Sequence, residues 1–257
     1  MPGERLQVPY EGTTLPGYFF RAPDATPGER RPLVVMNNGS DGPTSSMGLF
    51  GGWVANERGY HWMTVDGPGQ QASLFLHGIP FRHDWEAVLT PVVDAMAARP
   101  DVDPERIALI GISQGGFWVP RALAFEHRFV AAVADPGVVD VSTSWTERLS
   151  RSTRATLHFR GEPYGVAGDS RFDLYQEVLK YRLGDEVNQI TTPLLITEPE
   201  GEQFWPGQSQ ALYDRLPGPR QLVRFTAAEG ANRHCEPMGL ATRDLRIFDW
   251  LDRHLAA

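Results

Sequence analysis

A single cysteine, Cys235, occurs in 257 residues, so no intramolecular disulfide can form. No apolar run approaches the ~20 residues that a membrane-spanning helix needs. The opening Met1–Arg5 lacks the apolar segment of a secretory signal, and together these absences lead us to expect a soluble, cytoplasmic protein. Excess positive charge is lacking too. The formal net charge is −8 and no basic stripe stands out, which argues against a nucleic-acid footprint. His61, His77 and His83 have no metal-ligand spacing, and Gly111–Gly116 does not match the G-x-G-x-x-G dinucleotide fingerprint. Internal repeats and low-complexity tracts are absent. What remains is an ordinary globular composition, 41% hydrophobic and 22% charged, on a chain long enough to bury one central sheet.

Short apolar, β-rich runs alternate with helical patterns, the signature of a mostly parallel sheet flanked by helices. The start differs: Arg5–Tyr10 and Thr13–Arg21 flank Glu11-Gly12 and read as an antiparallel hairpin. Leu33–Met36 reads as a strand, 44–58 as helical, and Tyr60–Val65 as a strand ending in the turn Asp66–Gly69. Trp85, Val88, Leu89, Val92, Val93 and Met96 recur at helical spacing over 84–98. Asp101–Arg106 reads as a turn before the strand Ile107–Ile110. A helix is expected from Ser113, kinked at Pro120, where proline removes a backbone donor. After a strand at Val130–Ala134 the rhythm breaks. Residues 138–190 are mainly helical in pattern and read as an inserted cap over the carboxyl edge of the sheet. Strand Pro193–Thr197, a helix around Ser209–Leu216, strand Gln221–Phe225 and a helix at Thr242–Leu255 resume the alternation. The domain reading is one core in two parts, 1–137 and 191–257, interrupted by the cap at 138–190.

The strongest chemical signal is Ile107–Gly116, a buried strand running into G-x-S-x-G and then a helix. That context is the nucleophile elbow, a sharp strand-to-helix turn in which Gly111 and Gly115 leave room around Ser113. The turn places Ser113 at a helix N-terminus, where partial positive charge favours a developing oxyanion. A serine hydroxyl needs a base, and in the α/β-hydrolase fold the order along the chain is serine, acid, histidine. His234, in the loop Glu229–Glu236 before the last helix, fits that order; His254 lies in the charged terminal helix. The acid is expected after the strand ending at Thr197. Glu202 is preferred, Glu200 is its main rival, and Glu198 and Asp135 are further alternatives. For the oxyanion hole, one donor is expected from the Gln114 amide. The other is expected from the loop Asn37–Gly42, with Ser40 favoured and Gly39 next. Trp118, Tyr164, Phe204 and Trp205, with Trp145, Phe159, Phe172 and Tyr175, fall in segments expected near a pocket. They read as substrate contacts or, equally, as cap core.

On N-G-S-D-G (38–42), D-G-P-G-Q (66–70), G-I-S-Q-G-G (111–116), E-G-E-Q-F-W-P-G-Q-S (200–209) and E-G-A-N-R-H-C-E (229–236), the chain resembles one group of α/β-hydrolases. This is the branch that includes 2,6-dihydroxypseudooxynicotine hydrolase and the fungal heptaketide hydrolyase of pigment synthesis. The resemblance covers about residue 30 to the end. It implies hydrolysis of an ester or of a ketone C–C bond, without a cofactor, by Ser113, His234 and a carboxylate near Glu202. Gln71 stands where the D-G-P-G-Q motif usually continues with glycine. The helical domain that precedes the core in those relatives is not read in this sequence, and the cap reads as shorter. The expectation is therefore an α/β-hydrolase fold with a short helical cap. Its substrate is a small hydrophobic or aromatic molecule, polyketide-like in one version, with no nucleic acid, membrane or metal partner and a homodimer left open. Acyl transfer, lactone hydrolysis and ligand binding without catalysis are the competing readings.

Overall fold

The computed structural model describes residues 3–145, 162–166 and 171–256. Strands β1 (Glu4–Tyr10), β2 (Thr13–Phe20), β3 (Arg31–Asn37), β4 (His61–Val65), β5 (Val102–Ile112), β6 (Ala131–Asp135), β7 (Leu194–Pro199) and β8 (Arg220–Phe225) form one sheet. Their order is β1-β2-β4-β3-β5-β6-β7-β8. The hairpin β1–β2 docks antiparallel on β4, and every pair from β4 to β8 is parallel. Helices α1 (Gly52–Glu57), α2 (Gln71–Phe75), α3 (Glu86–Ala97), α4 (Gly115–Leu123), α5 (Arg171–Val178), α6 (Gln208–Arg215) and α7 (Leu240–Leu255) connect or follow them.

The central strands are buried on both faces, and their alternation sorts the core into two layers. Leu33, Val35, Ile107, Leu109 and Ile196 join one cluster with Trp85, Leu89 and Trp118 of the α3–α4 side. Val34, Met36, Ala108, Ile110 and Leu195 join the other with Trp62, Phe248 and Leu251 of the α7 side. Each aliphatic side chain so enclosed contributes about 1.5–3 kcal/mol relative to exposure, which holds register firmly, since a one-residue slip would reverse both layers.

Strand order reverses between β3 and β5: the chain moves outward to β4 on one side and to β6–β8 on the other. Loops leaving the carboxyl ends of β3 and β5 therefore diverge over a crevice, where open α/β sheets bind ligands. The loop after β3 carries Asn38–Gly42 and the loop after β5 carries Ser113.

Three details differ from the sequence reading. Asp101–Arg106 is not a turn outside the sheet: β5 begins at Val102, which pairs with Arg31 across an irregularity. Asp103 accepts the Glu105 amide at 3.0 Å, so turn-like chemistry is accommodated inside a bulged strand. The 44–58 helix is broken into a 3-10 turn at Thr44–Gly48 and α1. Helix α2 was not foreseen. Pro120 does lie inside α4. The Gly116 carbonyl, which proline cannot serve, accepts the Val138 amide at 3.1 Å instead, tying the elbow helix to the first residue of the expected cap.

Within 138–190 the described residues form 3-10 turns at Val141–Trp145, Glu162–Tyr164 and Asp185–Gln189, together with α5. The base of this segment is fastened to α6. Gln208 Oε1 accepts the amides of Val139 and Asp140, both at 2.8 Å, and its Nε2 donates to the Asp140 carbonyl at 2.8 Å. Phe159 lies outside the described residues, as does the side chain of Trp145.

Candidate active site

Ser113 stands between β5 and α4 with φ +57°, a left-handed conformation that costs a non-glycine residue free energy and persists only where its surroundings enforce it. Two contacts enforce it here. The Ser113 amide donates to the Asp135 carbonyl at 2.6 Å, and its carbonyl accepts the Gly116 amide at 2.8 Å. The turn is so tight that a Cβ on Gly111 would sit 2.5 Å from the Gly115 carbonyl oxygen, which is why the elbow needs glycine there.

His234 lies between β8 and α7. Its Nε2 is 2.8 Å from Ser113 Oγ and its Nδ1 is 2.8 Å from Glu202 Oε2. In the tautomer protonated at Nδ1, the ring donates to the carboxylate and accepts from the hydroxyl. Glu202 is anchored by its other oxygen, which accepts the Phe204 amide at 2.7 Å and the Trp205 amide at 3.2 Å. Burial pushes the Glu202 carboxyl up, but the hydrogen bonds from His234 and from these two amides outweigh it and hold the pKa below 4.5.

The rival carboxylates are engaged elsewhere. Glu200 accepts the Ala227 amide at 2.8 Å, and Glu198 pairs with Arg224. Asp135 is fully buried, 2.6 Å from Arg243 Nε, and accepts the Thr197 hydroxyl at 2.6 Å. His254 packs on Trp250 with ring centroids 4.4 Å apart. Cys235 is buried and its thiol is pushed well up by burial, so it is held as the unreactive thiol.

On the opposite wall, Gly39 approaches the serine so closely that a Cβ there would lie 2.6 Å from Ser113 Cβ. The Gly39 amide already donates to Asn38 Oδ1 at 2.7 Å. Ser40, the other donor expected on this loop, is 5% exposed. The Gln114 amide opens α4.

The four aromatics expected at a pocket separate. Phe204 and Trp205 pack on the His234 ring at 4.8 and 5.7 Å between centroids, and the Trp205 indole donates to the Val141 carbonyl at 3.2 Å. The Tyr164 hydroxyl is 3.2 Å from Gln114 Oε1, one residue from the serine. Trp118 is different: it is fully enclosed, stacked on Trp85 at 4.0 Å, with its indole donating to the Arg82 carbonyl. Its position is that of core. Phe172 and Tyr175 are exposed. A cleft of about 360 Å³ lies behind the acid loop, lined by Glu198, Glu200, Glu202 and Arg224 but by neither Ser113 nor His234.

Beneath the serine–histidine pair is a charge cluster that no local motif announced. Arg243 of α7 meets Asp135, pairs also with Asp244, and lies 3.7 Å from Glu236. Burial raises Asp135, yet the Arg243 charge and the hydrogen bonds from Thr197 and Arg243 hold its carboxyl below the ordinary value. Burial and the Asp135 charge push the Glu236 carboxyl well up. Replacing Arg243 with methionine strands the Asp135 charge and is expected to cost about 3–5 kcal/mol. Urea denaturation checks this, and adding Asp135→Asn should restore much of the loss. An additive double variant would show the two not to be paired.

The chain as a whole is similar to several known proteins. A family model described as the prolyl oligopeptidase family matches residues 87–257. A hydrolyase of Aspergillus clavatus is 27% identical over 232 residues, covering 75% of this chain and 53% of that protein. A hydrolase of a Fusarium species is 27% identical over 292 aligned positions, covering 96% of this chain and 68% of that protein. The solved structure of 2,6-dihydroxy-pseudo-oxynicotine hydrolase matches with a TM-score of 0.83 at 22% identity, over 99% of this chain and 68% of that one. The chain spans between a third and about two thirds of the length of the curated relatives it matches. Among the described residues no helix is long and apolar enough to cross a membrane.

Proposed function

Because the chain belongs to the prolyl oligopeptidase family of α/β-hydrolases, we propose that it is a serine hydrolase with Ser113 as nucleophile, His234 as general base and Glu202 as the acid that orients the base. The observation that carries this reading is one imidazole bridging a strained serine hydroxyl and a buried carboxylate at 2.8 Å on each side. His234 Nε2 takes the Ser113 proton as Oγ attacks a carbonyl carbon. The amides of Gln114 and Ser40 hold the oxyanion, and Glu202 stabilises the imidazolium. Collapse expels the leaving group, which receives the proton from His234. Water, deprotonated by the same ring, then releases the acyl group from Ser113. None of these steps calls on a cofactor.

The substrate we propose is a small hydrophobic or aromatic carbonyl compound, an ester or a ketone cleaved at a C–C bond. Phe204 and Trp205 beside His234 and Tyr164 beside Gln114 offer aromatic surface. A relative is named a hydrolyase, and the matched solved structure is of a hydrolase named for 2,6-dihydroxy-pseudo-oxynicotine, in keeping with such a substrate. Fluorophosphonate labelling tests the reading: wild type is expected to label at Ser113, and His234→Ala to label at least 100-fold more slowly, about 2.7 kcal/mol. A folded wild type that does not label would instead favour a ligand-binding protein on this scaffold.

A further inference from the structure

Resting on that serine-hydrolase reading, we infer that Gln70 is the positioning residue of the oxyanion loop, its carboxamide setting the direction in which the Ser40 amide points. Gln70 closes the turn after β4 and is 2% exposed. One end of its carboxamide faces the Gly67 amide at 2.7 Å, and the other faces the carbonyls of Asn38 and Gly39 at 2.9 and 2.7 Å. An amide only donates and a carbonyl only accepts, so Oε1 must face Gly67 and both Nε2 protons must go to residues 38 and 39. All three hydrogen bonds lie within good geometry.

Those two carbonyls matter because a trans peptide points its C=O and the following N–H in opposite directions. Pinning the Gly39 carbonyl to Gln70 turns the Ser40 amide to the far side of that peptide. Pinning the Asn38 carbonyl turns the Gly39 amide likewise, and that amide goes to Asn38 Oδ1 at 2.7 Å. Gly39 itself touches Ser113 and has no side chain with which to hold its own place. Gln70 supplies that hold from behind, out of reach of the substrate. Gln71, by contrast, donates to the Asp41 carbonyl at 2.7 Å from an exposed position and braces only the outer half of the loop.

The test measures the rate constant for fluorophosphonate labelling, and kcat and KM on p-nitrophenyl esters, for wild type, Gln70→Met, Gln70→Glu and Gln71→Ala. A misdirected oxyanion donor costs about 100-fold in kcat. Gln70→Met is therefore expected to lose about that factor in kcat and labelling with KM within about threefold, and Gln71→Ala to stay near wild type. Gln70→Glu sets acceptors against acceptors at pH 8. It should recover relative to wild type as the pH falls toward ~5 and its carboxyl regains a proton to donate. A merely structural loss would not return with acid. The proposal is overturned if Gln70→Met keeps kcat within threefold, if KM rises instead, or if the ratio of Gln70→Glu to wild type is flat with pH. A crystal structure of the phosphonylated wild type tests it without any variant. The phosphonyl oxygen is expected within about 3 Å of the Ser40 amide nitrogen, with Gln70 still on the carbonyls of Asn38 and Gly39; an oxygen held by other donors overturns it. Failure of the wild type to label would defeat the serine-hydrolase reading itself, whereas wild-type labelling with insensitive Gln70 variants defeats only this inference.

Discussion

Ser113→Ala is expected to lower kcat on any accepted ester by about 10⁴- to 10⁶-fold while KM stays near its wild-type value. The size follows from what is removed. In the proposed mechanism the other groups act through the hydroxyl: His234 has no proton to accept once Oγ is gone, and the acyl-enzyme cannot form. A loss of that order is about 5–8 kcal/mol of transition-state stabilisation. The KM expectation has a separate basis, since alanine fits wherever serine did and removes one polar atom from an otherwise unchanged wall. The measurement is steady-state hydrolysis of p-nitrophenyl esters of increasing acyl size. Retention of more than a hundredth of the wild-type rate would place the nucleophile elsewhere. Fluorophosphonate labelling of the same variant is expected to vanish.

The second large effect is expected at Glu202. Glu202→Gln keeps the shape of the side chain but replaces a carboxylate by an amide. The imidazole then loses both the charge that stabilises its protonated form and the acceptor that fixes its tautomer. The expected fall in kcat is about 10⁴-fold. The carboxylate also contributes to stability. Its folded pKa lies below the ordinary 4.5, because hydrogen bonds from His234 and from the Phe204 and Trp205 amides outweigh the opposing effect of burial. The contribution is therefore fully present above 4.5 and lost as the pH falls through the lower folded value. The gap in melting temperature between wild type and Glu202→Gln should accordingly be widest near neutrality and narrow below pH 4.5. A gap that widened in acid would mean that the carboxyl is not held ionised by these partners. Should Glu200→Gln show the kinetic loss instead, the acid would have been assigned to the wrong glutamate.

The parts of this site legible in the sequence are those in which a residue's role follows from its own neighbours along the chain. Ser113 was legible because strand, G-x-S-x-G and helix are contiguous, and the turn they make needs glycine at 111. His234 was legible because the order of elements leaves one loop for it. The mostly parallel sheet followed from the alternation of apolar runs with helical patterns. Where neighbours misled, a tertiary partner had overridden local preference: Asp101–Arg106 has turn residues, yet Val102 is drawn into pairing with Arg31.

The acid was not decidable along the chain, since Glu198, Glu200 and Glu202 sit within five residues, at the end of β7 and in the loop after it, and differ chiefly in what faces them. Arg224, the Ala227 amide and His234 face them respectively, and each partner comes from a distant part of the sequence. Trp118 and Trp205 looked alike as aromatics near a pocket, but one stacks on Trp85 in the core and the other lies tilted against His234. Arg243 and Gln70 carried no signal of role. Arg243 belongs to a helix that reads as amphipathic and charged, and D-G-P-G-Q was recognisable as a motif without revealing what its glutamine holds. By itself, then, the sequence determined the fold class and singled out the residues we propose as nucleophile and base, because short-range backbone geometry and element order dictate where those residues lie. Only the tertiary structure decided which carboxylate faces His234, the partner of each buried charge and which carbonyls the Gln70 carboxamide holds. A carboxylate or a carboxamide takes its function from the donors and charges that folding brings within 3 Å of it, and these lie anywhere along the chain.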